Sequence, residues 1–390
     1  MDETKKRIAE AVDSIRDEII GLSHKIHQNP EEGFQEYKAC TWQKELLSKH
    51  GFEIESPFCG METSYMAVYR GKKEGPTMAF LAEYDCLMGT HICGHNTITG
   101  GSTGAGIALS RFIDEAGGSV CVVGTPAEEG GGGKIRIVEE GGFKNVDYAM
   151  MMHPRFQTMI RRPPLMATTH VDVEYFGKRT HPSKYQLGVS ALTALISLFN
   201  AVDAKRPFWP EKSTVHGIIV DGGKAANVMP EYTKGIFDIR STKKAEVLAI
   251  IEDFKRLAQA AADITGAKVK VTVEHVYSDS HLNGAMADQL RLNLEALGET
   301  VVIGDPNEKT GASDIGNVSE ILPTAHEYLF LVDANAHTEA FREAAISPRG
   351  DEVAVLMAKA MAMTGFDILS STALQKKIRE EFEASRENAS

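Results

Sequence analysis

PTMAFLAEYD (76–85), SVCVVGTP (119–126) and DYAMMMHP (147–154) decide the fold, read together with MAVY (66–69) before them and a helix after GGSTG (100–104). Short apolar runs that alternate with a helical segment predict an α/β domain built on a mostly parallel sheet with helices on its faces. In such sheets ligands collect at the carboxyl ends of the strands. The polar clusters of this region stand at those ends.

Outward from this block the pattern changes. Toward the N-terminus, Ile8, Val12, Ile15, Ile19, Leu22 and Ile26 recur at helical spacing among charged residues, which predicts an amphipathic helix rather than a signal peptide. Past residue 168, HVDVEYFGK (170–178) alternates with period two, Val189 to Ala204 reads as a helix, and TVHGIIVDGG (214–223) with TKGIFDIRS (233–241) reads as a strand pair. Lys243 to Ala262 is again helical and KVKVTVEHV (268–276) again alternates. That order is βαββαβ, the ferredoxin-like split unit. Helical character returns in LNGAMADQLRLNLEALG (282–298) and, after the turn-rich GDPNEKTGASDIGN (304–317), around EVAVLMAKAMAMTG (352–365) and TALQKKIREEFE (372–383). The economical arrangement is one α/β domain made from residues 1–167 and 280–390, with residues 168–279 inserted.

A chain of 390 residues exceeds the usual size of one hydrophobic core, which agrees with two domains. The net charge of −12, without a basic stripe, argues against a nucleic-acid partner and favours a small-molecule one. No run of eighteen or more apolar residues occurs, so no membrane partner is expected. Cys40, Cys59, Cys86, Cys93 and Cys121 are an odd set without the dense spacing of a disulfide scaffold. Reduced thiols and a cytoplasmic address follow as expectations, and one thiol can then serve as a metal ligand.

The chemistry concentrates in a few short segments. In THICGHN (90–96), Cys93 and His95 lie two apart, so on an extended stretch both side chains point the same way, and Gly94 lets the backbone crowd a bound ion. In GTPAEEGGGG (124–133), at the end of a buried strand, neighbouring carboxylates in extended chain project to opposite sides. One can bind a metal while the other faces a substrate. The competing reading is a solvated acidic turn, against which stand the buried strand before the pair and the four glycines after it. His153 ends DYAMMMHP and His337 lies in DANAHTEAF (333–341); either alone is more often a hydrogen-bonded structural histidine. With Cys93, His95 and Glu129 they make five candidate ligands, the number a two-metal site needs.

Taken together, these motifs resemble the metallopeptidase family of aminoacylases, carboxypeptidases and dipeptidases. Within it the chain is most similar to the amidohydrolase branch of amino-acid conjugate hydrolases, p-aminobenzoyl-glutamate hydrolase and the Xaa-Arg (β-alanyl-lysine) dipeptidases. The resemblance runs nearly end to end, through HQNPEEGFQEYKA (27–39), LAEYDCL (81–87), HICGHN (91–96), GTPAEEGGGG (124–133), MMHP (151–154), GKRTHPSKYQLGVSA (177–191), GGKAANVMPEY (222–232), GASDIGNVS (311–319), AHTEAF (336–341) and AMAMTGFDIL (360–369).

The resemblance implies a zinc-exopeptidase-like catalytic domain carrying an inserted lid and dimerisation domain, and hence a homodimer. It implies Cys93, His95, Glu129, His153 and His337 as ligands of two divalent ions, zinc or manganese or else cobalt. Glu128 would be the general base and acid, and Asp85 a carboxylate behind the ligands that orients the site. His181 matches the lid histidine that such enzymes bring to the partner's site to polarise the scissile carbonyl, and Asn227 and Arg240 match lid positions that hold a substrate carboxylate. Two departures stand out: Asn96 where many conjugate hydrolases have Asp, and HPSKYQLG (181–188) in place of an alanine-rich stretch. The function implied is hydrolysis of the amide bond of a dipeptide or an N-acyl or aminobenzoyl amino acid by a metal-activated water. Its rivals are an arylamine deaminase on the same scaffold, a binding protein that lost catalysis, and a thiol enzyme with Cys93 as nucleophile.

Overall fold

The computed structural model describes every residue except 162, 306, 307, 309 and 388–390. It divides into two units, one of Met1–Pro164, Ser280–Lys309 and Ser313–Ser390, the other of Leu165–Asp279 and Thr310–Ala312.

The first unit begins with helices α1 (Glu3–Asp13), α2 (Arg16–His27) and α3 (Tyr37–Lys49). The amphipathic stretch expected as one helix is thus two. Ser14 ends α1 by bonding its hydroxyl to Ala11 O, and Ile15, with φ −116°, starts the chain afresh. The apolar spacing survives the break, because Ile8, Val12, Ile15, Ile19, Leu22 and Ile26 are all buried.

Strands β1 (Glu53–Glu55), β2 (Tyr65–Arg70), β3 (Thr77–Ala82), β4 (Ser119–Gly124), β5 (Tyr148–Arg155) and β6 (Met159–Ile160) enclose α4 (His95–Ser110), α5 (Ile113–Ala116) and α6 (Gly133–Glu139) in sequence. β3 pairs in parallel with both β4 and β5, with Ala82 beside Gly124, so both chains leave the sheet at the same edge. Every residue of α4 is buried. The helix begins at His95 and contains GGSTG, whereas the sequence suggests a start after it.

The second unit runs β7 (Ala167–Phe176), α7 (Ala191–Lys205), β8 (Thr214–Asp221), β9 (Tyr232–Ser241), α8 (Lys244–Thr265), β10 (Lys268–Val273). Its four strands are antiparallel in the order β10-β7-β9-β8. Val171, Val173 and Tyr175 of β7 and Phe237 and Ile239 of β9 alternate inward to meet Leu195, Leu198 and Phe254 of the helices. The period-two sequence pattern is the cause, since alternate residues of a strand face one side.

The chain then returns to the first unit with α9 (Gly284–Ala296), β11 (Val302–Ile303), α10 (Ile315–Ser319), β12 (Thr324–Phe330), α11 (Glu339–Ala344), α12 (Pro348–Ser370) and α13 (Thr372–Glu387). Of the turn-rich GDPNEKTGASDIGN, residues 306, 307 and 309 lie outside those described, and its end already belongs to α10. β12 adds in parallel to β5, completing a sheet ordered β1-β2-β4-β3-β5-β12-β6-β11. α12 is long and apolar enough to cross a membrane, but most of that stretch is buried inside this unit, against α4. Gly101 permits the close approach, since a Cβ there would lie 2.7 Å from Met357 Cβ.

Candidate metal centre

Beyond β3 the chain continues as Glu83-Tyr84-Asp85, beyond β4 as Thr125 to Glu129, and β5 carries His153 near its end. These ends meet the N-terminus of α4. Gly94 caps that helix in the left-handed conformation, φ +75°, with His95 as the first helical residue. Cys93 and His95 therefore converge through a turn and not through strand alternation, which corrects the extended reading. Glycine is required twice over, because a Cβ at position 94 would also lie 2.7 Å from Pro154 Cγ.

The Glu128–Glu129 pair is likewise in a turn rather than an extended segment. Ala127 has φ +56°, a conformation costly for a residue with a Cβ. Its carbonyl accepts from the N–H groups of Gly131 and Gly132. Two buried carboxylates pin the backbone on either side of Glu128: Glu36 accepts from Ala127 N at 2.8 Å, and Asp85 from Glu129 N at 2.9 Å. Glu36→Ala should cost roughly 1–3 kcal/mol, the penalty for stranding a buried donor. Adding Ala127→Gly should recover part of that loss, since glycine takes this φ freely. Urea midpoints of the single and double variants check it.

Two of the imidazoles, His95 and His153, are oriented as metal ligands are. His95 directs Nδ1 at the backbone oxygen of Asp85, 3.0 Å, and at its Oδ1, 3.1 Å. Its Nε2 is buried without a hydrogen-bond partner, 3.6 Å from Glu83 Oε2 and 4.0 Å from Glu129 Oε1. His153 gives Nδ1 to Pro154 O at 2.8 Å and lies edge-on to His95, ring centres 5.8 Å apart. His337, at φ +68°, places Nε2 3.8 Å from Glu129 Oε1. The Cys93 thiol donates to that same oxygen. An imidazole whose Nδ1–H is held by an oxygen offers Nε2 to a metal. The donor set fits divalent ions.

Charge supports the fit. Burial, with His95 beside it, pushes His153 down to about 3, so it is a neutral ligand at working pH. Against the lowering effect of burial, Asp85, Glu83 and Glu129 hold His95 well above its usual range. Burial and the Glu129 carboxylate raise the Cys93 thiol. A field that retains these protons is one that favours a cation in their place. Glu128 is pushed up by burial and by its neighbours Glu83 and Glu129.

Sequence reasoning overlooked three further charges at this site. Lys134, fully buried, sets Nζ 2.6 Å from Glu83 Oε1 and 2.6 Å from Asp314 Oδ1, while its N–H reaches Asp314 Oδ2. Carboxylate oxygens of Glu83, Glu128 and Asp314 lie within 4.8 Å of one another. Glu83 stands two residues from Asp85 at the end of an apolar strand, a spacing that could have singled it out. Lys134 and Asp314 gave no such signal, being 180 residues apart.

His181, Asn227 and Arg240 all belong to the second unit. His181 is exposed and caps a short 3₁₀ turn, its Nδ1 accepting from Ser183 N. Asn227 lies exposed in a turn. Arg240 bonds Asp238 Oδ2 at 2.7 Å.

A model of peptidase family M20/M25/M40 matches residues 89–359. The chain belongs to that family. Xaa-Arg dipeptidase of Mus musculus is 32% identical to it over 97% of this chain and 92% of that protein. One of the p-aminobenzoyl-glutamate hydrolase subunits of Escherichia coli (strain K12) is 27% identical over 69% of this chain and 60% of its own length. A dinuclear metal binding peptidase from M20 family of Bacillus subtilis shares the fold, with a TM-score of 0.68 at 20% identity over 91% of this chain and 99% of that one. The expected resemblance and the mostly parallel α/β fold are borne out. Membership in the M20 family also fixes the reaction class, hydrolysis of amide bonds.

Proposed function

We propose that this M20 hydrolase cleaves the amide bond of a dipeptide or of an N-acyl or aminobenzoyl amino acid, with Glu128 as general base. The observation that carries the reading is the convergence of Cys93, His95 and His337 around one oxygen of Glu129, with Glu128 next to it in the chain and grouped with Glu83 and Asp314. Bound divalent ions would supply Lewis acidity, lowering the pKa of a water and polarising the amide oxygen. Cys93, His95, Glu129, His153 and His337 would hold them, and zinc, manganese or cobalt would suit a set that mixes thiolate, imidazole and carboxylate. Glu128 takes the water's proton and delivers it to the leaving nitrogen; its raised proton affinity serves both halves. Asp85 ties His95 to the Glu129 backbone and so keeps ligand and base in register.

The second unit would act as lid and dimerisation domain. Because the Nδ1 of His181 accepts a hydrogen bond, its proton sits on Nε2, a donor suited to polarising a carbonyl across a dimer. Strand β8 ends the four-stranded sheet and exposes Ile218, Ile219 and Val220, an apolar edge that supports pairing with a second copy. Sedimentation should give a dimer, and His181→Ala should keep its metals while losing turnover. A fully active monomer would remove both claims. Asn227 and Arg240 would hold the substrate carboxylate, Arg240 by leaving Asp238. Amidating that carboxylate should then weaken binding to wild type and change little in Arg240→Ala. A cytoplasmic setting agrees with five free cysteines.

Similarity to Xaa-Arg dipeptidase favours a dipeptide with a basic C-terminal residue. Assay of dipeptides ending in basic and acidic residues beside N-acyl amino acids and p-aminobenzoyl-glutamate, with zinc or manganese added, tests this. Turnover confined to an arylamine deamination would contradict it.

A further inference from the structure

The five ligands anticipated from the sequence do not form one set of contacts. Glu129 gathers Cys93, His95 and His337, but His153 stands apart from it. Among the described residues, the ligand atoms grouped with His153 within 4.8 Å are those of His95 and Glu83. We infer that Glu83 is itself a metal ligand, completing with His95 and His153 the set that holds one of the two ions. This rests on the reading of the cluster as a metal centre.

Three observations support the assignment. The 3.6 Å between Glu83 Oε2 and His95 Nε2 is the separation expected of two atoms on one ion, since bonds of about 2.0–2.2 Å at a tetrahedral angle put their ends about 3.4 Å apart. His95 Nε2 is buried, lacks a hydrogen-bond partner and faces that oxygen, which makes the two atoms a donor pair for one cation. The bond of Oε1 to Lys134 leaves Oε2 on the side of His95. Lys134 and Asp314 work as a clamp. The ammonium is held between two buried carboxylates at 2.6 Å each, which fixes the Glu83 side chain and leaves Oε2 toward the histidines. Here Lys134 is a positioning residue. A second carboxylate in the ligand shell also makes the donor set harder, which suits manganese as well as zinc.

Metal-free full-length protein titrated with zinc and with manganese, with bound metal counted by elemental analysis, tests the assignment without reference to turnover. Wild type should take up two ions per chain. Glu83→Gln should keep one tight ion and bind the other at least tenfold more weakly. Asp314→Asn removes charge from the clamp but keeps the Glu83 carboxylate, and should weaken the same ion less than Glu83→Gln does. If Glu83→Gln does not fold, Glu83→Asp keeps the counter-ion of Lys134 while drawing the oxygen back by one methylene, and should weaken the same ion. Two ions at wild-type affinity in the Glu83 variants would overturn the assignment. Equal loss in Asp314→Asn would do the same, because the effect would then belong to the buried charge network. A wild type that binds no ions would instead overturn the metal reading beneath it.

Discussion

Glu128→Gln should bind two metal ions per chain and lose at least about a hundredfold in turnover, the low end of what a general base contributes. The carboxylate lies in a turn whose two flanking amides are each held by a buried acid, so the amide replacement keeps its place while losing the ability to take a proton. Glu129→Gln should behave in the opposite way. Its Oε1 is the atom to which Cys93, His95 and His337 all point, and a neutral amide is a poorer ligand than a carboxylate. Metal content should fall there first, with activity following it and partly restored by excess metal. Metal loss in Glu128→Gln with full retention in Glu129→Gln would reverse the two roles.

The largest effect on stability is expected at Lys134. Lys134→Met should destabilise the first unit by about 3–5 kcal/mol, the range for removing one partner of a buried ion pair. Its ammonium has no solvent exposure and is the cation between Glu83 and Asp314, so the variant leaves two buried carboxylates facing each other. Burial alone would lower the lysine, but Asp314 and Glu83 more than offset it and keep the group charged. A urea midpoint unchanged from wild type would mean that water or protonation relieves the carboxylates at little cost.

Much of this was legible in the sequence. Apolar runs at 76–82, 119–124 and 148–155 became the central strands because three consecutive buried strands must lie inside a sheet covered on both faces. Cys93, His95, Glu128, Glu129 and His153 stand at or beyond their carboxyl ends, where a parallel sheet gathers function. Local geometry was less legible. Nothing in the pattern marked Ala127 as left-handed; that conformation depends on Glu36, 91 residues away, reaching its N–H. Lys134 can be interior because Glu83 and Asp314, both distant from it in the chain, meet its ammonium. The sequence marks Gly94 as a position that needs glycine, but for crowding an ion and not for capping α4.

The central claim is that the first unit holds a two-ion hydrolytic centre. Elemental analysis of the purified chain, paired with dipeptide hydrolysis before and after chelation, tests it most directly. Two divalent ions per chain, hydrolysis abolished on their removal and restored on adding back zinc or manganese, are the predicted result. Full hydrolysis by chain stripped of metal would contradict it.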